Sequence, residues 1–215
     1  MKTITLSVDV LNKLDMSKLP TYPHLSRTTL AQLPDGTMLE SLSLETNNNF
    51  SRPAGNQHYR LLAYIASCID GIQISDIGTS SGGSAMALAS NQNNIIYSVD
   101  RVNCRTKDYS AVQNVRFDVG SFYDSSIMDN IVKSKIILLD IQHEGPDEVY
   151  FYNELVRRNW KGMLICDDIT LNPNMIRFWN DIELPKMNVT KYGHGDNGSG
   201  TGIVLFGSDF FVELT

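Results

Sequence analysis

The sequence predicts a doubly wound α/β fold, a mostly parallel sheet with helices on both faces, closed by an antiparallel hairpin at the carboxyl end. Three observations carry this. Short apolar runs at residues 73–77, 95–99, 115–117, 136–139 and 163–166 alternate with segments of helical periodicity. Buried strands separated by amphipathic helices imply parallel pairing under helical cover. The first run breaks into Gly78-Thr79-Ser80-Ser81-Gly82-Gly83 and resumes in small and apolar residues through Ala89, the pattern of a strand, a tight turn and a helix start. The last two β-like runs, 188–192 and 202–206, are joined by a glycine-rich connection over 193–200, as in a long hairpin.

Taken in order, residues 1–54 form an extension and 55–215 the main body of one structural domain. In the extension, Leu11, Leu14 and Leu19 suit a short helix stopped by Pro20. Ser26 or Thr28 suits the cap of a second helix running to Leu33, with Pro34-Asp35-Gly36 as a turn. Such an extension serves either as a cover over a ligand site or as a packing arm. From Gly55 to Asp70, Leu61, Leu62, Ile65, Ala66 and Ile69 form one apolar helical face, and Gly71 ends it. Further helices are expected at 84–90, 125–133, 146–159 and 174–181, the last with Ile176 and Trp179 turned inward.

Composition narrows the function. With 215 residues the chain is long enough for one substantial core. A formal net charge of −6, with no basic run interleaved with aromatics, argues against nucleic acid as a partner. No apolar segment is long enough to span a bilayer and no signal pattern opens the chain. Cys68, Cys104 and Cys166 lack metal-type spacing. They read as reduced thiols, so the expectation is a cytoplasmic protein without a membrane partner.

The glycine turn is the first candidate site. Glycines admit close approach of a ligand to the backbone, and free N–H groups at a helix start favour polar or anionic atoms. The spacing Gly78-x-x-x-Gly82-Gly83 departs from the dinucleotide fingerprint G-x-G-x-x-G. Asp76 precedes the turn, and Asp100 ends the next strand, where a carboxylate can accept hydrogen bonds from ribose hydroxyls. Further on, Asp140 follows the fourth strand and Asp167-Asp168 follow the fifth. In a doubly wound sheet these strand ends line one crevice. Three carboxylates meeting there repel one another unless protons or a cation compensate. Such hard oxygen donors suit Mg²⁺, with Mn²⁺ or Ca²⁺ as alternatives.

The run from Asp76 through Gly78 to Gly83, followed by Asp100, resembles the first motifs of class I S-adenosylmethionine-dependent methyltransferases. The resemblance covers residues 55–207 and implies a Rossmann-like sheet of seven strands. It implies cofactor contacts from Asp76, Gly78, Thr79, Ser80, Gly82, Ser84 and Asp100, with Asp118 or Ser121 toward the adenine. Phe122 falls either on the adenine ring or in the core. Asp140, Asp167 and Asp168 are similar to the metal ligands of the metal-dependent O-methyltransferases, both the catechol type and the sugar-modifying type. The catechol type carries an amide at the last position and a lysine base three residues after the first acid. Asp168 and His143 stand there instead, which leans toward the sugar-modifying members.

The resemblance thus implies a methyl group moved from S-adenosylmethionine to a hydroxyl of a small molecule or sugar, with Asp140 and His143 catalytic. A bound divalent ion lowers the pKa of a chelated hydroxyl, and a histidine can take its proton near neutral pH. The rival readings are a metal-free transferase acting on a nitrogen or carboxyl acceptor, and a non-catalytic cofactor-binding protein; a homodimer is compatible with each. Glu144 and Gly145 match the family segment after strand four. His24, His58 and His194 are expected to be structural or solvated, and Tyr150, Tyr152 and Trp160 to be packing residues.

Overall fold

The structure, a computed structural model, describes residues 2–19, 23–32, 38–46, 53–102, 112–193, 198–207 and 210–215. For residues 18, 23–32, 38–46 and 53–57 only the backbone is described. The elements run β1 (Lys2–Leu6), α1 (Val8–Asn12), a 3-10 turn (Met16–Lys18), β2 (Pro23–Gln32), β3 (Met38–Thr46) and α2 (Pro53–Ser67). There follow β4 (Gln73–Ile77), α3 (Gly83–Leu88), β5 (Ile95–Asp100), β6 (Val115–Val119), α4 (Ser125–Ile131), β7 (Ile136–Leu139) and α5 (Pro146–Arg157). The chain ends with β8 (Gly162–Asp167), α6 (Pro173–Asp181), β9 (Lys186–Asn188), α7 (Thr190–Gly193), β10 (Thr201–Phe206) and β11 (Phe210–Leu214).

The predicted sheet forms. Its seven strands lie in the order β6-β5-β4-β7-β8-β10-β9, parallel from β6 to β8 and antiparallel at β10 and β9. The strand order reverses beside β4, where doubly wound sheets open a crevice at their carboxyl ends. Alternation of side chains sorts the strand residues onto two cores. Ile74, Ile96, Ile136, Leu138, Met163 and Ile165 face the layer holding Leu61, Leu62 and Ile65 of α2. Ile77, Val99, Ile137, Leu139, Leu164 and Cys166 face Met128, Phe151 and Phe178 of α4, α5 and α6.

Several expectations are corrected. Residues 23–32 are not a helix capped by Ser26 or Thr28; they pair antiparallel with β3, with Ser26 opposite Ser43 and Leu25 opposite Leu44. A partner strand outweighs local capping preference, and β3 carries the period-2 alternation Ser41-Leu42-Ser43-Leu44. The turn at 34–36 lies outside the described residues. Ile176 is 42% exposed, and Met175 and Phe178 join Trp179 in the core instead. Residues 188–192 are not one strand. Asn188 Oδ1 accepts from Thr190 N at 2.9 Å, and such an aspartate- or asparagine-type bond starts a helical turn where a strand would continue. Tyr192 is thereby buried, its hydroxyl donating to the Thr215 carbonyl at 3.1 Å.

One feature was not expected from the sequence. β1 and β11 pair in parallel, with Ile4 opposite Val212, and Ile4 and Leu6 are fully buried in the α2-side core. Cys166 is buried and Cys68 half-buried, both free thiols, and burial pushes the Cys166 thiol well up; Cys104 lies outside the described residues. Among the described residues no helix is long and apolar enough to cross a membrane.

Candidate active site

Register decides which residues reach the crevice together. Ile77 lies opposite Val99 on one side and Leu139 on the other, and Leu139 opposite Cys166. The next residues along these strands are Gly78, Asp100, Asp140 and Asp167, so the carboxyl rim carries a glycine turn flanked by acids. Gly78 has φ +96°, and a Cβ there would sit 1.6 Å from the Asp140 carbonyl oxygen. Only glycine lets the turn pass so close to the β7 end. Gly82, at φ +87°, leads into α3.

A cleft of about 480 Å³ opens above this turn, within the range of small-molecule sites. Gly78, Thr79, Ser80, Ser84, Asp100 and Phe122 line it, together with Asp140. The Asp100 carboxylate accepts from Ser80 N at 2.7 Å and Val102 N at 3.1 Å, which fixes its position at the cleft edge. Asp76 does not line the cleft. It is fully buried beneath, with Oδ2 accepting from Ser98 Oγ at 2.6 Å, and Ser98 Oγ in turn lies 2.5 Å from Thr79 Oγ1. Asp76 thus holds the turn from below.

Neither candidate for the adenine end lines the cleft. Asp118 accepts from the Tyr97 hydroxyl and from Arg116, both at 3.0 Å. Ser121 Oγ accepts from Tyr123 N at 3.3 Å. Gly120 and Phe122 line the wall instead, and Phe122 meets Phe151 edge-on at 5.4 Å. Tyr59, Arg101, Gln142 and Asp147 also line the cleft. Asp147 accepts from the Tyr123 hydroxyl at 2.6 Å, and that bond pushes the phenol up to about 12. Tyr150 is 40% exposed against Tyr123, with ring centroids 4.5 Å apart, whereas Tyr152 and Trp160 pack on Phe206.

The acids after β7 and β8 divide. Asp140 and Asp167 follow the parity of Leu138 and Ile165, so both point to the α2 side of the sheet. There His58, on α2 and only 5% exposed, offers a donor atom. One donor atom each from His58, Asp140 and Asp167 lie within 4.8 Å of one another. His58 Nδ1 is 3.6 Å from Asp167 Oδ1, which also accepts from Thr201 Oγ1 at 3.3 Å. Asp168 lies outside this group. Its φ of +55° turns the chain, Oδ1 accepts from Ser199 Oγ, and Oδ2 lies 3.4 Å from His143 Nε2.

His143 is held from several directions. Nε2 lies 3.2 Å from Asp140 Oδ1, while Nδ1 is buried without a hydrogen-bond partner among the described residues. The backbone adopts φ +57°. Glu148, almost wholly buried, accepts from His143 N at 2.9 Å and from Gly145 N at 2.7 Å. Gly145, at φ +96°, starts α5. Glu148 was missed, although a glutamate three residues past a helix start is a capping signal. Asn172 completes the cradle: Nδ2 donates to the His143 carbonyl at 2.7 Å, and Oδ1 caps α6 through Asn174 N and Met175 N. Asn172→Ala is expected to cost about 1–2 kcal/mol in chemical denaturation, from the lost cap and the unpaired carbonyl. An unchanged unfolding midpoint would contradict this account. His194 lies outside the described residues, and of His24 only the backbone in β2 is described.

Charge fits the same picture. Burial raises the Asp140 carboxyl above its ordinary value; the hydrogen bond from His143 opposes this and the Asp167 charge adds to it. His143 is raised as well, since Asp140, Asp168 and Asp167 together outweigh the opposing effect of its burial. A divalent ion would relieve the repulsion between Asp140 and Asp167. The donor set of one imidazole and two carboxylates is a competent one for such an ion.

Comparison with family models finds no match, and no curated protein matches the chain. Solved structures do. Cofactor-bound Rv0187 from MTB is 13% identical, with a TM-score of 0.54 over 71% of this chain and 81% of that one. The O-methyltransferase TomG from Streptomyces achromogenes, involved in tomaymycin synthesis and solved in complex with SAM, is 14% identical; its TM-score is 0.50 over 75% of this chain and 90% of that one. The SAH-bound methyltransferase PaMTH1 of Podospora anserina is 13% identical, with a TM-score of 0.50 over 73% and 83%. The chain therefore has the Rossmann-like α/β fold of the S-adenosylmethionine-dependent methyltransferases.

Proposed function

We propose that this chain is an S-adenosylmethionine-dependent O-methyltransferase that methylates a hydroxyl of a small molecule or sugar with the help of a divalent ion. One observation carries the reading. Asp140 both lines the cleft above the glycine turn and belongs to the donor group with His58 and Asp167. A cofactor held over Gly78 and an ion held by Asp140 would therefore be neighbours. The fold shared with structures holding SAM and SAH supports the same reading.

Bound in the cleft, the cofactor supplies an electrophilic methyl carbon. A divalent ion at Asp140 and Asp167 would supply the positive charge that lowers the pKa of an acceptor hydroxyl. The chain itself binds and orients. Asp100, fixed by two backbone N–H groups, retains lone pairs for ribose hydroxyls. Phe122 presents an apolar wall to the adenine. His143 accepts the hydroxyl proton. Nε2 is the accepting atom: carboxylate oxygens of Asp140 and Asp168 lie beside it and stabilise the imidazolium that forms, whereas Nδ1 is buried.

S-adenosylhomocysteine is expected to raise the melting temperature, because a ligand at about 100 times its Kd adds about 2.7 kcal/mol of stability. Asp100→Ala is expected to weaken that ligand about 10–100-fold, the scale of a lost hydrogen bond to a charged group. Stabilisation by NAD, with none by S-adenosylhomocysteine, would reject the reading.

A further inference from the structure

We propose that His58, rather than Asp168, is the third protein ligand of the divalent ion, making a site of one imidazole and two carboxylates that prefers Zn²⁺ to Mg²⁺ or Ca²⁺. The inference rests on the proposed methyl-transfer reading for the presence of an ion, and on this chain's geometry for its ligands.

Strand parity comes first. Asp140 and Asp167 emerge on the α2 side of adjacent strands, and α2 covers that side. His58 lies one helical turn ahead of Leu61 and Leu62, whose side chains are fully buried in the same layer. Its burial at 5% exposure, next to Asp167 at 7%, places a nitrogen donor against the acids. Distances agree. Nitrogen and oxygen ligands at about 2.0–2.2 Å from one ion can be at most about 4.4 Å apart. The three donors already lie within 4.8 Å of one another, and His58 Nδ1 and Asp167 Oδ1 are 3.6 Å apart. Closure onto an ion therefore needs only a small movement of the side chains.

Asp168 is drawn off by its backbone. At φ +55° it leaves the strand, and its two oxygens face Ser199 Oγ and His143 Nε2. Its role is to position His143. The change of donor alters the choice of ion. Mg²⁺ and Ca²⁺ are held by oxygen ligands, whereas imidazole suits Zn²⁺ and other borderline first-row metals.

The test uses the full chain with Mn²⁺ as the probe. Pulsed electron paramagnetic resonance of the Mn²⁺ complex should show nitrogen coupling from a directly bound imidazole. That coupling should vanish in His58→Gln and persist in His143→Gln. Calorimetry should show Mn²⁺ binding weakened by about 100-fold or more in both His58→Gln and His58→Ala, since even changes behind the ligands cost 10–100-fold. Asp168→Asn should leave Mn²⁺ affinity unchanged. Thermal melts with S-adenosylhomocysteine, run on each variant, report whether the fold and the cofactor cleft are intact. Nitrogen coupling that is absent, or that disappears with His143→Gln instead, overturns the assignment. So does tighter binding of Mg²⁺ than of Zn²⁺. If S-adenosylhomocysteine still stabilises the protein in those cases, the ligand assignment fails while the methyl-transfer reading stands; if it does not, both fail.

Discussion

Gly78→Ala is expected to destabilise the protein by about 4 kcal/mol and to abolish S-adenosylhomocysteine binding, among the larger effects of any single substitution. Two costs add. The residue sits at φ +96°, and a left-handed conformation costs an L-residue about 1–2 kcal/mol. The new methyl would also lie 1.6 Å from the Asp140 carbonyl oxygen. That neighbour is backbone and cannot swing aside, so the ends of β4 and β7 must part. Gly71→Ala is the matched control. It has φ +72° but nothing within 4 Å of the added methyl, so it should lose only about 1–2 kcal/mol and keep ligand binding. Urea denaturation of the two variants decides the point, and equal losses would show that the clash had been relieved.

The second large effect is expected at Asp140. In the proposed reaction Asp140→Asn should lower methyl transfer in the presence of a divalent ion by about 10²–10³-fold, the scale seen when one charge-stabilising group is removed. Affinity for S-adenosylhomocysteine should change little, because the cleft is otherwise formed by the glycine turn and Asp100. The metal-free protein should show the opposite sign in stability. Burial raises the Asp140 carboxyl in the folded state, so its ionisation costs stability as pH rises above the unfolded value of about 3.9. The contribution of Asp140 to metal-free stability should therefore fall from about pH 4 toward neutrality, so that the stability of wild type relative to Asp140→Asn declines over that range. Thermal melts in EDTA measure this. A variant that melts far below wild type at neutral pH would mean that its lost activity reflects unfolding.

Much of this architecture was legible because it is written in local pattern. The strands 73–77 and 136–139 and the apolar face of α2 follow from periodicity, and the turn from its glycines. The row Gly78, Asp100, Asp140 and Asp167 could be anticipated, since parallel strands in a doubly wound sheet end at one rim. Less was legible where a partner in space sets the conformation. Residues 23–32 follow β3, and β1 is placed by β11, more than two hundred positions away in the chain. Asp118 and Ser121 sat at the expected place along the chain, but their side chains are taken up by Tyr97 and Tyr123.

The sequence by itself determined that acids and a glycine turn share the carboxyl rim of one sheet, because strand order and chain direction follow from its alternating segments. Only the tertiary structure decided which acids face each other. The two-residue alternation of β7 and β8 sends Asp140 and Asp167 toward α2, while a left-handed residue turns Asp168 toward His143. It also supplied His58, which lies far from the acids in the chain and meets them because α2 packs across the face onto which they point. A side chain's direction depends on strand parity and on the layer that covers it, and neither can be read from the residue and its neighbours alone.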